Sequence, residues 1–311
     1  MIALTAVKEC PTPVRVVILN FNRPHLTVRC VHSVLGQRNV TIELVVVDNW
    51  SNEAQLVELR SALPAGITLL ENKVNRGYAA GNNTGLRLQE KPADFALVLN
   101  NDTVLIDPHT ISTLVNALRN NAALAACSPL VHDAECGILP EASIQVRRIP
   151  NFWELITVSS AVLRRLPGLR RIHRRQVYAD ARPFPLNTVV PTETINGCCF
   201  LIRMSTLEAI GYLDEGTFLY SEELILGFQL RASGFGCALV TQTVVQHEQG
   251  ASTGTNAAGS NVTGMLRRIR SEIYFARAYL GAGVTATLLI AVVGLFDICC
   301  KVMYSGFRNL K

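Results

Sequence analysis

Apolar residues along this chain come in short continuous runs separated by helix-length amphipathic stretches. Val14-Arg15-Val16-Val17-Ile18-Leu19, Ile42-Glu43-Leu44-Val45-Val46-Val47, Ile67-Thr68-Leu69-Leu70 and Phe95-Ala96-Leu97-Val98-Leu99 are such runs. Runs with so little alternation predict strands buried on both faces, as inside a parallel sheet. Between the first two, Leu26, Val28, Val31, Val34 and Leu35 recur at helical spacing and stop at Gly36, which predicts a helix. A second helix is expected from Glu53 to Leu63, capped by Ser51 or Asn52. Strands alternating with helices predict βαβ units, a parallel sheet and right-handed crossovers.

Two of these strands end in carboxylates, Asp48 and Asp102, the latter preceded by Asn100 and Asn101. The C-terminal edge of an open α/β sheet is where ligands bind. Asp102 there suits a divalent cation held against a phosphate, and Asp48 a base or ribose. The competing reading is a strand followed by an Asx turn, since Asn-Asp-Thr is good turn chemistry. The first turn, Asn20-Phe21-Asn22-Arg23-Pro24, carries no G-x-G-x-x-G, which counts against NAD. No G-x-x-x-x-G-K-[ST] occurs, which excludes a P-loop NTPase. The stretch from Asn75 to Gly85 supplies glycines for a tight backbone path and asparagines for a polar ligand. It also reads as a loop entering a helix capped by Asn82 or Asn83.

Composition narrows the class. With 49% hydrophobic and 17% charged residues in 311, the chain can bury a sizeable core and is not a disordered protein. Low charge and positive mean hydropathy lean towards contact with a membrane. Nine cysteines without a C-x-x-C pair fit reduced, buried thiols in a cytosolic compartment. Met1 to Pro13 lacks a basic segment followed by an apolar one, so no signal peptide is expected.

Four landmarks fall in one order: Val17-Ile18-Leu19-Asn20-Phe21-Asn22-Arg23, Val46-Val47-Asp48-Asn49, Asn75-Arg76-Gly77-Tyr78-Ala79-Ala80-Gly81-Asn82-Asn83 and Leu99-Asn100-Asn101-Asp102. Downstream come Asn196-Gly197-Cys198-Cys199-Phe200, Gly211-Tyr212-Leu213-Asp214-Glu215, Phe218-Leu219-Tyr220-Ser221-Glu222-Glu223 and His247. This order resembles the family-2 glycosyltransferases of GT-A fold, in the bacterial rhamnosyltransferase-like branch that builds cell-surface polysaccharides. The resemblance implies an α/β fold with a mostly parallel central sheet flanked by helices. It implies a catalytic domain over 1–255, and an inverting transfer from dTDP-rhamnose or a UDP-hexose to a lipid-linked or saccharide acceptor. Asn20, Asn22, Asp48, Asn75, Gly77, Asn82 and Asn101 would contact the nucleotide. Asp102, with Asn100 and His247, would hold Mg²⁺ or Mn²⁺. Glu223 would be the general base and Glu222 its support. Two positions depart from the pattern: Asn100 replaces the first aspartate of the metal motif, and Ile225 replaces the second acid of E-D-x-D-L. A nucleotidyltransferase, or a non-catalytic nucleotide-sugar-binding membrane module, are the alternative readings.

Two further segments bear on location. From Arg147 to Arg175 eight arginines stand against one acid, Glu154, interleaved with Phe152, Trp153 and leucines. This basic insert, 150–180, suits an anionic membrane surface better than nucleic acid, for which no motif appears. Ala278 to Phe296 is nineteen residues without a charge, at the short end for a membrane span. Residues 262–311 are therefore expected to form a membrane-associated helical hairpin or interfacial helix on the cytoplasmic face of the inner membrane, with a single span as the next reading and a soluble core or oligomer helix as the third. The loop from Gly250 to Thr255, followed by 257–264, is expected to act as a lid.

Overall fold

The computed structural model describes residues 12–133, 145–169, 172, 187–248 and 262–308. The first half alternates as expected: β1 (Pro13–Asn20), α1 (Pro24–Leu35), β2 (Thr41–Asp48), α2 (Glu53–Ala62), β3 (Thr68–Glu71), α3 (Tyr78–Leu86) and β4 (Phe95–Asn100). Then follow β5 (Thr103–Leu105), α4 (Thr110–Arg119), β6 (Leu124–Asp133), α5 (Phe152–Ser159), β7 (Val189–Thr192) and β8 (Cys199–Arg203). The chain continues through α6 (Met204–Ala209), α7 (Glu222–Ala232), β9 (Gly236–His247), α8 (Val262–Tyr279) and α9 (Val284–Arg308).

The strands form one sheet in the order β3-β2-β1-β4-β8-β6-β9-β5, with β7 on β9. β3, β2, β1 and β4 are parallel, as are β6 and β9, whereas β8 runs antiparallel to both its neighbours. β8 runs backwards because it enters the sheet at the C-terminal edge of β4, where the Asn100 N–H donates to the Cys198 carbonyl at 2.9 Å. That entry carries Asn196-Gly197-Cys198 to the same edge as Asn20, Asp48 and Asn100.

Both faces are covered, which explains the unbroken apolar runs. On one face Val16, Ile18, Leu97 and Leu99 pack with Cys30, Val31 and Val34 of α1 and Leu114 of α4. On the other, Val17, Val47 and Val98 pack with Ala79 and Leu86 of α3 and Leu226 and Leu230 of α7. Asn52 caps α2, accepting from the Gln55 N–H.

Two sequence expectations change. Asn82 and Asn83 do not cap a helix: α3 begins five residues earlier, and Gly77 (φ 100°, ψ −172°) holds the N-cap position. The uncharged stretch 278–296 is divided between two helices. α8 ends at Tyr279, Gly281 turns at φ 67°, and α9 starts at Val284 and continues past Asp297. Within α9, Val284–Met303 is long and apolar enough to cross a membrane. In the basic insert, α5 carries no arginine, and Arg164 and Arg165 sit on the short 3₁₀ turn Leu163–Arg165. Arg170, Arg171, Arg174 and Arg175 lie outside the described residues, as do 249–261, most of the expected lid.

Candidate active site

Three strand ends meet at one edge, and a buried chain of hydrogen bonds joins them. Asn101 Nδ2 donates to Thr27 Oγ1 (3.0 Å), Thr27 Oγ1 to Asn20 Oδ1 (2.7 Å), and Asn20 Nδ2 to Asp48 Oδ1 (2.7 Å). Ser51 adds its hydroxyl at 2.6 Å and its N–H at 2.9 Å to the same carboxylate. Asp48 is 1% exposed. Two of these bonds fall on Oδ1 and one on Oδ2, so protein donors orient the carboxylate and tie Asp48, Asn20 and Asn101 into one frame. Asn22 (φ 54°) braces the same corner, its Oδ1 accepting from the Asn52 N–H.

What faces open space is the residue after that frame. Trp50 (φ 69°) is 58% exposed and Phe21 is 41% exposed. Both line a cavity of about 590 Å³ with Asn49, Asn75, Gly77 and Asn100. Asn75 Oδ1 accepts from the Gly77 N–H at 3.0 Å and from Asn49 Nδ2 at 3.0 Å. Asn82 lies outside this cavity: it is fully buried, with Nδ2 on the Tyr78 carbonyl. The opposite wall is Phe218, Leu219 and Tyr220, closed by Thr263, Gly264 and Arg267 of α8. The Arg267 guanidinium sits 4.4 Å from the centre of the Phe218 ring.

A second cavity, about 370 Å³, shares Tyr78, Asn100, Leu219 and Tyr220 with the first. It is lined further by Asn196, Gly197, Arg147, Glu222, Glu223 and His247. His247 ends β9 and pairs in register with Thr103, which places its Nε2 3.1 Å from Asp102 Oδ1. Asp102 is 3% exposed. One carboxylate and one imidazole at a strand end fit a cation that keeps most of its shell as water and phosphate oxygens, as Mg²⁺ and Mn²⁺ do. Among the described residues no group of three or more histidines, cysteines or acids could hold a metal, so such a cation would share its shell with a bound ligand.

The acidic pair is aimed by strained backbone. Tyr220 (φ 78°) and Ser221 (φ 68°) are both left-handed immediately before α7, a cost that persists only where surrounding structure enforces it. Glu223 Oε1 accepts from the Gly197 N–H at 2.7 Å, and Oε2 lies 3.6 Å from Arg147 Nη1. Glu222 differs: burial, with the neighbouring Glu223 charge, pushes its carboxyl up to about 7, against a favourable backbone contact. Its Oε1 is buried without a hydrogen-bond partner among the described residues. Burial and the Glu222 charge also hold the Tyr78 hydroxyl well above its ordinary value; it donates to the Gly197 carbonyl at 2.6 Å. Ile225, at the place of the missing acid, is 2% exposed and packs against Phe275 of α8 in an apolar cluster. Sequence reasoning missed Trp50, Phe21 and Arg147 as site residues; an aromatic at the exit of a strand that ends in a carboxylate was the available signal for Trp50.

The sequence profile described as "Glycosyl transferase family 2" matches residues 15–178. The N-acetylglucosaminyl-diphospho-decaprenol L-rhamnosyltransferase of Mycobacterium tuberculosis is 25% identical over 227 residues, 70% of each chain. The low-salt glycan biosynthesis hexosyltransferase of Haloferax volcanii is 29% identical over 192 residues, 61% of this chain and 53% of the relative. Among solved structures, GalNAc-T7 with UDP, GalNAc and Mn²⁺ superposes with a TM-score of 0.56 at 16% identity, over 86% of this chain and 48% of that one. The mannosyltransferase PcManGT from Pyrobaculum calidifontis, in complex with GDP-Man and Mn²⁺, gives 0.50 at 14% identity, over 96% and 82%. These two establish the shared fold. With the profile covering more than half of the chain and the strand ends arranged as described, the protein belongs to glycosyl transferase family 2 and is a glycosyltransferase.

Proposed function

We propose that this enzyme moves a sugar from a nucleoside-diphosphate donor, dTDP-rhamnose or a UDP-hexose, to a lipid-linked saccharide acceptor in cell-surface polysaccharide assembly, with inversion at the anomeric carbon. The observation that carries this reading is the meeting of two cavities at Asn100 and Tyr220, one walled by aromatics and amides, the other by Glu223 and His247. The nucleotide occupies the first, its base against Trp50 and its polar edge on Asn49 and Asn75. Asp102 and His247, with Asn100 beside them, would hold the divalent cation, which offsets the charge developing on the leaving diphosphate. The acceptor enters the second cavity. Glu223, fixed at Oε1 by the Gly197 N–H, takes the acceptor hydroxyl proton at Oε2. The oxygen attacks the anomeric carbon from the face opposite the diphosphate, and the bond to the diphosphate breaks, which inverts the centre. Arg147 neutralises the pocket around that carboxylate. The chain works at the cytoplasmic face of a membrane, where a lipid-linked acceptor presents its sugar.

Replacing Glu223 with Gln tests the assignment. Transfer should fall by about two to four orders of magnitude, the usual worth of a positioned general base. The thermal shift given by the nucleotide sugar with Mn²⁺ should stay as in the parent. Near-parental transfer in the variant would remove Glu223 from the mechanism.

A further inference from the structure

The apolar stretch of α9 is built inside out. Leu288, Val292, Leu295, Phe296, Val302 and Met303 are 49–62% exposed, and their spacing of three and four places them along one face. The opposite face is turned to the protein. Ile290 and Ile298 are buried there, and Gly294 lies so close to Ile269 of α8 that a Cβ would stand 2.5 Å from its side chain. The single carboxylate of the stretch, Asp297, is also on this inner face at 3% exposure. It accepts from Ser160 Oγ (2.9 Å), Ala161 N–H (2.7 Å) and Val162 N–H (3.4 Å). A helix that turns its acid inwards and its leucines outwards faces something other than water.

Charge identifies the occupant. The turn that Asp297 grips leads directly into exposed Arg164 and Arg165 and the exposed Leu166. Trp153, on the helix before that turn, is 67% exposed. Arginines beside an apolar stripe and an outward tryptophan are the composition of a surface that sits among anionic headgroups. Crossing the bilayer is a poor alternative. α9 packs along α8, whose Arg267, Arg270 and Arg277 are exposed, and a span would draw these charges into hydrocarbon.

We propose that the outer face of α9, flanked by Trp153 and by Arg164 and Arg165, docks the enzyme in the plane of an anionic bilayer without crossing it. The proposal deepens the membrane part of the function above and rests on that reading only in one respect. The first two turns of α8 wall the nucleotide cavity through Thr263, Gly264 and Arg267, so docking through the α8–α9 hairpin brings the site to headgroup level, where a lipid-linked acceptor is reached. Docking itself does not depend on which sugar is moved.

The test uses the full chain and vesicles of phosphatidylcholine with or without phosphatidylglycerol. The parent binds vesicles containing phosphatidylglycerol. The combined variant Leu288→Gln, Val292→Gln, Leu295→Gln, changed only at exposed positions, loses at least about tenfold in binding while keeping its melting temperature and nucleotide-sugar hydrolysis. Arg164→Glu with Arg165→Glu removes the preference for phosphatidylglycerol. A fluorescent protein that folds only in the cytosol, fused after Lys311, stays bright in bacterial cells. A dark fusion means that α9 crosses the membrane and overturns the proposal. So does unchanged vesicle binding by the glutamine variant, including the case in which the parent is a dimer and the variant a monomer, which would give the face to a second copy. Absence of hydrolysis in the parent would count against the sugar-transfer reading and leave the vesicle result standing.

Discussion

At the scale of single residues, the two neighbouring glutamates are set apart by their surroundings. Glu223 is held by a backbone N–H and faces Arg147, whereas Glu222 is buried with an oxygen that no described group satisfies. Burial raises the Glu222 carboxyl from 4.5 to about 7, so the folded protein binds this proton more tightly than the unfolded chain. Folding stability therefore falls as pH rises through that window, and above about 7 the full penalty, about 3 kcal/mol, is in place. Glu222→Gln has no charge to bury. It should be close to the parent in stability at pH 5 and more stable by up to about 3 kcal/mol at pH 8, measured by urea unfolding at both. A parent that is the more stable of the two at pH 8 would show that the ionised carboxylate has found a partner. This penalty, like the left-handed Tyr220 and Ser221, is stability given up at the place where chemistry is expected.

At the scale of elements, the entry to α3 shows how closely the site's walls are fitted. Gly77 has φ 100°, and a Cβ there would lie 2.2 Å from the Phe218 carbonyl oxygen, which also accepts the Tyr78 N–H at 2.9 Å. Gly66 has a similar φ of 86° but nothing within 4 Å. Gly66→Ala should therefore cost only the backbone penalty, about 1–2 kcal/mol. Gly77→Ala must also displace the 218–220 wall, and should cost well over about 2 kcal/mol and weaken nucleotide binding. Equal costs by urea unfolding would mean that the wall yields freely. The same element marks the boundary of what the sequence discloses. β1, β2 and β4 were legible because strands buried on both faces leave unbroken apolar runs, and α1 because Gly36 ends its periodicity. The start of α3 was not, since a glycine N-cap leaves no polar side chain to read. β8 gives an apolar run whichever way it points, so its reversal depends on the remote contact with Asn100. His247 and Glu223, singled out through their motifs, line one cavity, and the buried Asp102 sits behind it against His247. The bonds from Ser51 to Asp48 were hidden because a carboxylate at a strand end looks the same in sequence whatever donates to it.

At the scale of the whole molecule, the question is what fastens the helical hairpin to the catalytic sheet. Asp214, in the loop after α6, receives the hydroxyls of two tyrosines of α8: Tyr274 at 2.9 Å, and Tyr279. Burial first, and the Asp214 carboxylate second, raise both phenols above their ordinary value, so both remain donors at neutral pH. Asn83 of α3 grips the neighbouring Leu213 through its N–H and carbonyl, and Glu215 through its carboxylate. The 211–215 loop is thus a hinge pin between α3 and α8, both of which line the cavity beside Trp50. A hydrogen bond to a charged group contributes about 1.5–3 kcal/mol. Removing both hydroxyls in Tyr274→Phe, Tyr279→Phe should therefore destabilise the protein measurably and raise KM for the donor. Asp214→Ala should do the same. The decisive measurement is the cycle that combines all three changes. With Asp214 already gone, the phenylalanine substitutions should cost little more, because their shared acceptor is absent. Fully additive costs would mean that the tyrosines hold the hairpin by packing alone, as the edge-on contact of Tyr279 with Phe228 of α7 already does in part. The site's outer wall would then be tied to the sheet by apolar contact, without a charged anchor.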